Sequence, residues 1–144
     1  WSLIYGQPYR RQMNQVTMGL LLLQLVNVSD RIHYGKGNPY EHQAVLQVLR
    51  YIESNYRTAS LQQLSQMMNE SLYQLSRFIK KNTGHTFKEL LLQKRLNQAA
   101  FLLSTTKLPV SDIIFHVGYD NTSYFRRVFR EKYGMTPKEY REKQ

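Results

Sequence analysis

Arg77 and Arg127 stand at matching places in two copies of one short pattern. Each follows a large apolar side chain by two residues (Leu75, Phe125) and immediately precedes an apolar pair (Phe78-Ile79, Val128-Phe129). On a helix that spacing turns the arginine away from the face its neighbours bury. A guanidinium fork matches the O6/N7 edge of guanine, an Asn amide matches adenine, and Ser or Thr hydroxyls suit several base edges. Tyr73 and Ser76 lie beside Arg77, while Asn121, Thr122, Ser123 and Tyr124 lie beside Arg127. These eight residues are the candidate base readers. Lys80, Lys81, Arg126, Arg130 and Lys132 fit a second task, neutralising phosphates, which sets register and carries little sequence information. Competing uses stay open: either arginine could pair with Glu70 or Glu131 on the surface, and Tyr73 and Tyr124 could be aromatics at the edge of a core.

Other chemistries find little support. His85 and His116 read as cap or core-edge histidines rather than as ligands, and the chain has no cysteine. Disulfides and thiolate metal sites are therefore excluded, and a reducing cytoplasm is the natural setting. There is no phosphate loop, activated nucleophile or paired-carboxylate site, so neither an enzyme, a cofactor nor a metal is expected. The formal charge of +10 is uneven. Residues 71–144 hold fourteen Lys/Arg against six Asp/Glu, and residues 1–70 hold six against four. A polyanion is the expected partner of the basic half. Charge alone does not separate DNA from RNA or an anionic membrane.

The elements that must position these residues are short helices. Val45, Leu49, Ile52 and Tyr56 fall on one face of a first helix. Ser60 with Gln63, and Ser71 with Gln74, read as helix starts of the capping-box type, the first followed by Leu61, Leu64 and Met68, the second by Leu75, Phe78 and Ile79. Gly84 ends the second helix. Thr86 with Glu89 opens a long one bearing Leu92, Leu96, Ala99 and Leu103, and Pro109 marks the next break. An internal repeat ties these together. Leu61, Leu64, Met68 and Asn69 return forty-nine residues later as Val110, Ile113, Val117 and Gly118. Leu75, Arg77, Phe78, Ile79 and Gly84 return at an offset of fifty as Phe125, Arg127, Val128, Phe129 and Gly134. The second turn is one residue longer. Gly84-His85-Thr86-Phe87-Lys88-Glu89-Leu90 is matched by Gly134-Met135-Thr136-Pro137-Lys138-Glu139-Tyr140, again a capping box, with proline at the first helical position. Two copies of short helix, tight turn and basic helix are two helix-turn-helix units.

Upstream, a helix is expected over about residues 9–30. Met13, Val16, Leu20 and Leu23 share a stripe, and Leu21, Leu22, Leu25 and Val26 make its middle apolar nearly all round. Such a helix must be covered on more than one side, and a homodimer through Met13, Val16, Leu20 and Leu23 is the expected arrangement. Its apolar run falls well short of the roughly 20 residues of a membrane span. Residues 34–41, with Gly, Asn and Pro and no apolar period, read as a linker. The chain opens on Trp1 and reads as part of something longer.

Taken together, residues 42–143 resemble the DNA-binding domain of the AraC/XylS family of bacterial transcription regulators. The most specific stretch runs Val117-Gly118-Tyr119-Asp120-Asn121-Thr122-Ser123-Tyr124-Phe125-Arg126-Arg127-Val128-Phe129, followed by Gly134-Met135-Thr136-Pro137-Lys138-Glu139-Tyr140-Arg141. Leu75-Ser76-Arg77-Phe78 with Lys80-Lys81 and Gly84 supports it in the first copy. The resemblance implies an all-α domain with helix-turn-helix units at about 60–84 and 110–134, joined by a linker helix at about 87–104. It implies that the two recognition helices enter successive major grooves, with Tyr73, Ser76 and Arg77 reading the first and Thr122, Ser123, Tyr124 and Arg127 the second. Residues 1–33 then become the end of a sensor and dimerisation region whose upstream part binds an unknown effector ligand, and RNA polymerase is a further partner such a regulator can have. Two departures bear on packing. Asn69 replaces the usual turn glycine, and Ile114 stands where a small residue is common.

The expected function is sequence-specific binding of double-stranded DNA in transcription regulation. A non-specific nucleic-acid or RNA binder would need stacking platforms or a single-strand groove. A helix-mediated interaction module would rest on the leucine-rich helix alone.

Overall fold

Pro39 opens the first described helix. The computed structural model describes residues 39–144, so the helix expected over about 9–30, with Met13, Val16, Leu20 and Leu23, lies outside the described residues. The described chain is all helix, in the order α1 Pro39–Asn55, α2 Leu61–Met68, α3 Leu72–Thr83, α4 Phe87–Thr105, α5 Val110–His116, α6 Thr122–Tyr133 and α7 Pro137–Glu142. Helix α1 begins inside the stretch read as linker to residue 41. The fixed φ of a proline suits a first helical turn, where its missing N–H costs nothing, so here proline starts a helix rather than punctuating a loop.

The described residues fall into two compact units, one ending at Lys94 and one beginning at Arg95. Helix α4 contributes to both. In the first unit the core is Val48, Tyr51 and Ile52 of α1, Leu64 of α2, Leu75 and Ile79 of α3, and Phe87, Leu90 and Leu91 of α4. The expected faces shift slightly. Tyr56 lies just past the end of α1, and Leu49 and Leu92 are only half-buried, while Val48, Tyr51, Leu90 and Leu91 are buried. A helix covered by two neighbours buries an arc wider than one stripe, which a single i, i+3/i+4 reading misses.

Tyr51 also rebuilds the start of α2. The Ser60 N–H donates to Tyr51 Oη (3.0 Å), the Tyr51 hydroxyl donates to Gln63 Oε1 (2.8 Å), and the Gln63 N–H donates to Ser60 Oγ (3.1 Å). A side chain from α1 is thus inserted into the expected Ser60–Gln63 box. Ser71 accepts from the Gln74 N–H at 3.1 Å. Thr86 with Glu89 forms the reciprocal box in both directions, each bond 3.1 Å. The Thr86 N–H, with help from Lys80 and His85, lowers the Glu89 carboxyl pKa. Burial raises the pKa of Tyr56, whose ring lies beneath the Lys94 ammonium that also meets Glu53 at 2.6 Å.

In the second unit the buried side chains are Leu96, Ala99, Ala100 and Leu103 of α4, Ile113 and Ile114 of α5, Val117 after it, Phe125, Val128 and Phe129 of α6, and Pro137 of α7. Phe129 is their aromatic centre. Its ring lies 4.5 Å from Tyr133, 5.6 Å from Tyr140 in an edge contact, and 5.8 Å from Phe125. Arg141 Nε donates to Leu103 O at 3.1 Å and ties α7 to α4. Thr136 and Glu139 form the expected reciprocal capping box with Pro137 in the first turn.

The repeat is visible in the backbone. Helices α3 and α6 each run twelve residues and end on a left-handed glycine, Gly84 at φ 75° and Gly134 at φ 72°. In the first turn the Glu70 N–H bonds to Ser65 O at 3.0 Å, and forty-nine residues later the Tyr119 N–H bonds to Ile114 O at 3.1 Å. The extra residue of the second turn therefore enters after Tyr119, before Asn121 caps α6. Both departures from the family pattern are accommodated. Asn69 takes the left-handed conformation at φ 54°, which Asn tolerates better than other L residues. Ile114 is fully buried at the place where the first copy has the buried Ser65.

Candidate nucleic-acid interface

In the first unit, α3 buries Leu75 and Ile79 and half-buries Phe78, leaving Leu72, Tyr73, Ser76, Arg77, Lys80 and Lys81 exposed. Tyr73 is 68% exposed, an unusual position for a large aromatic ring. One turn on, the Arg77 guanidinium carbon sits 5.5 Å from the ring centroid, and Nη1 donates to the Tyr73 hydroxyl at 3.4 Å. Lys80 donates to Gly84 O at 3.1 Å, closing the C-terminal end of its own helix.

In the second unit, α6 buries Phe125, Val128 and Phe129 and exposes Thr122, Ser123, Arg126, Arg127 and Arg130. Arg127 again lies over a tyrosine, here Tyr124, with 5.3 Å from guanidinium carbon to ring centroid. Tyr124 is half-buried and meets Tyr119 at 5.8 Å, and Arg95 lies 5.0 Å from the Tyr119 centroid. Burial raises the Tyr119 pKa, and the neighbouring Arg95 holds that rise in check.

Two of the other candidates carry internal bonds. Asn121 caps α6, its Oδ1 accepting the Tyr124 N–H at 3.0 Å. The Lys132 ammonium donates to Asn97 Oδ1 at 2.6 Å beside Tyr133, whose hydroxyl donates to the same oxygen at 3.0 Å. Although Lys132 is largely exposed, burial around its ammonium lowers its pKa, and burial pushes the Tyr133 phenol well up. Among the described residues neither arginine pairs with Glu70 or Glu131. His85 meets Glu89 at 3.4 Å as a surface pair, no cluster among the described residues is suited to a metal ion, and no described helix is long and apolar enough to cross a membrane. Spacing within one helix gives Arg95 and Tyr119 no role. The arginine is the single one on its helix, but the contact joins residues far apart in the chain, which no local period reveals.

A family model described as a helix-turn-helix domain matches residues 64–143, more than half of the chain. The chain belongs to the AraC/XylS family of transcription regulators. It is 30% identical over 141 residues to the arabinose operon regulatory protein of Escherichia coli, covering 94% of this chain and 47% of that protein. It is 32% identical over 102 residues to the regulatory protein SoxS of Salmonella typhimurium, covering 69% of this chain and 95% of SoxS. Among solved structures, the C-terminal domain of AraT, a response regulator from Geobacillus stearothermophilus, superposes with a TM-score of 0.66 at 32% identity, covering 76% of this chain and 89% of that one. The chain spans less than half the length of the arabinose regulator and of the transcriptional activators RhaS and RhaR, and 95% of SoxS. The all-α fold with two helix-turn-helix units is that of an AraC-type DNA-binding domain.

Proposed function

We propose that this AraC/XylS family domain reads a specific double-stranded DNA site to regulate transcription, with α3 and α6 in successive major grooves. One observation carries the reading. Both recognition helices bury an apolar face and leave exposed a row of base-reading side chains centred on an arginine resting over a tyrosine. Tyr73, Ser76 and Arg77 read the first groove, and Thr122, Ser123, Tyr124 and Arg127 the second. Asn121 serves first as the cap that starts α6, with its amide nitrogen turned to any reading it does. Lys81, Arg126 and Arg130 bind phosphates, supported by Lys80 and Lys132. The protein works in the cytoplasm beside the chromosome, with RNA polymerase as a partner, and the effector is bound by a region upstream. The apolar stripe of Met13, Val16, Leu20 and Leu23 pairs two copies, so that paired domains meet paired sites.

The test is selection of bound duplexes from a random DNA pool. The expected product is a site with two short blocks of fixed sequence about 10 base pairs apart, one helical turn. A pool that returns no enriched duplex, or binding that a single-stranded or RNA competitor removes more readily than duplex does, contradicts the reading.

A further inference from the structure

Arg127 does not stand alone on its tyrosine. Arg95 of α4 lies over Tyr119, Tyr119 lies against Tyr124, and Tyr124 lies under Arg127, with successive separations of 5.0, 5.8 and 5.3 Å. All four belong to the second unit. The two cations occupy the ends and the two rings the middle, the order that ring quadrupoles favour. Tyr119 is also anchored inward, 5.6 Å from the fully buried Phe125. The first copy has no such backing. Tyr73 is 68% exposed, and its ring has Arg77 as its contact among the described residues.

We infer that Arg95 and Tyr119 are positioning residues for base reading by Arg127, bracing its guanidinium through the ring of Tyr124. An arginine has many rotamers to lose when its fork is fixed on a guanine edge. A ring that is itself held from behind removes part of that loss before binding. The extra residue of the second turn lets Tyr119 keep the turn bond to Ile114 while its ring reaches α6. The inference rests on the reading role proposed above for Arg127.

The experiment measures base preference, position by position, on the selected duplex with the full chain. Arg95→Met keeps the apolar stem and removes the cation, and Arg95→Lys restores a cation. Arg95→Met is expected to reduce the preference at the position assigned to Arg127 by about 3- to 10-fold, the size of one partly exposed cation–π contact. The position assigned to Arg77 stays within about twofold, as independent sites do. Arg95→Lys recovers most of the loss. Tyr119→Leu, which keeps an apolar contact to Phe125 and removes the ring, gives the same selective loss, so a poorly folded Arg95→Met leaves the inference decidable. Equal weakening of every sequence by Arg95→Met and Tyr119→Leu, or unchanged preference in both, overturns the brace. An Arg127→Ala control that keeps its base preference overturns the reading beneath it. A control that loses its preference while Arg95→Met and Tyr119→Leu keep theirs overturns the brace alone.

Discussion

Raising monovalent salt from about 50 to about 200 mM is expected to weaken duplex binding by about 10³–10⁵-fold, the loss that accompanies about 6–10 phosphate contacts. Residues 71–144 carry fourteen Lys/Arg against six Asp/Glu, enough cations for a contact set of that size. The structure ranks them. Lys80 already spends one ammonium N–H on the end of its own helix and Lys132 one on Asn97, so each has fewer donors left for a phosphate. Lys81, Arg126 and Arg130 are exposed on the recognition helices. Arg130→Ala should therefore weaken all sequences alike and reduce the slope of log affinity against log salt by about one unit. Fluorescence anisotropy of a labelled duplex across the salt range checks both statements. A flat response would mean that the basic half does not neutralise phosphates.

The second large effect is on stability. Phe129→Ala is expected to destabilise the second unit by about 3–5 kcal/mol, the usual cost of emptying an aromatic site in a packed core. Phe129 is fully buried and touches Phe125, Tyr133 and Tyr140, so its removal leaves a cavity bordered by rings that cannot all close in. Against the total stability of roughly 5–15 kcal/mol ordinary for a domain, much of the folded population would be at risk. The same change takes away the face that holds α6, so reading by Arg127 is lost with it. Urea denaturation followed by circular dichroism measures the cost. A value below about 1 kcal/mol, typical of a surface site, would contradict the placement of Phe129 at the centre of the unit.

Much of this architecture can be read from local rules. The glycines that close α3 and α6, the Thr86–Glu89 and Thr136–Glu139 boxes and the buried triplet on α6 all follow from spacing within one helix and its ends. The forty-nine and fifty residue offsets even locate the longer turn. What escapes such reading joins distant parts of the chain. Tyr51 reaches across from α1 to complete the start of α2, and Asn97 gathers Lys132 and Tyr133. The links from Arg95 to Tyr119 and from Tyr119 to Tyr124 are likewise invisible to a period of three or four residues. Pro39 shows the opposite error, because a proline after Gly and Asn satisfies the rule for a loop and the rule for a first helical turn equally well.

The candidate site shows the same division. Exposure of Tyr73, Ser76, Arg77, Thr122, Ser123 and Arg127 follows from which neighbours are buried. The pairing of each arginine with a tyrosine does not follow from the repeat itself, because the two rings are not equivalent in it. Tyr73 precedes Arg77 by four residues and Tyr124 precedes Arg127 by three. Both separations bring side chains together on a helix, so two different spacings lead to one arrangement.

The central claim is that α3 and α6 read bases through Arg77 and Arg127, and one comparison tests it most directly. Base preference is measured at every position of the selected duplex for the wild-type chain, Arg77→Ala and Arg127→Ala, with circular dichroism as the folding control. Each substitution is expected to cost about 1–3 kcal/mol on that duplex and to relax preference at one position only. The two positions should differ and lie about 10 base pairs apart, as for helices in successive grooves. Both variants should stay folded, because an exposed arginine adds little to a core. If both variants instead lose affinity uniformly while every base preference survives, the arginines hold phosphates and the claim is wrong.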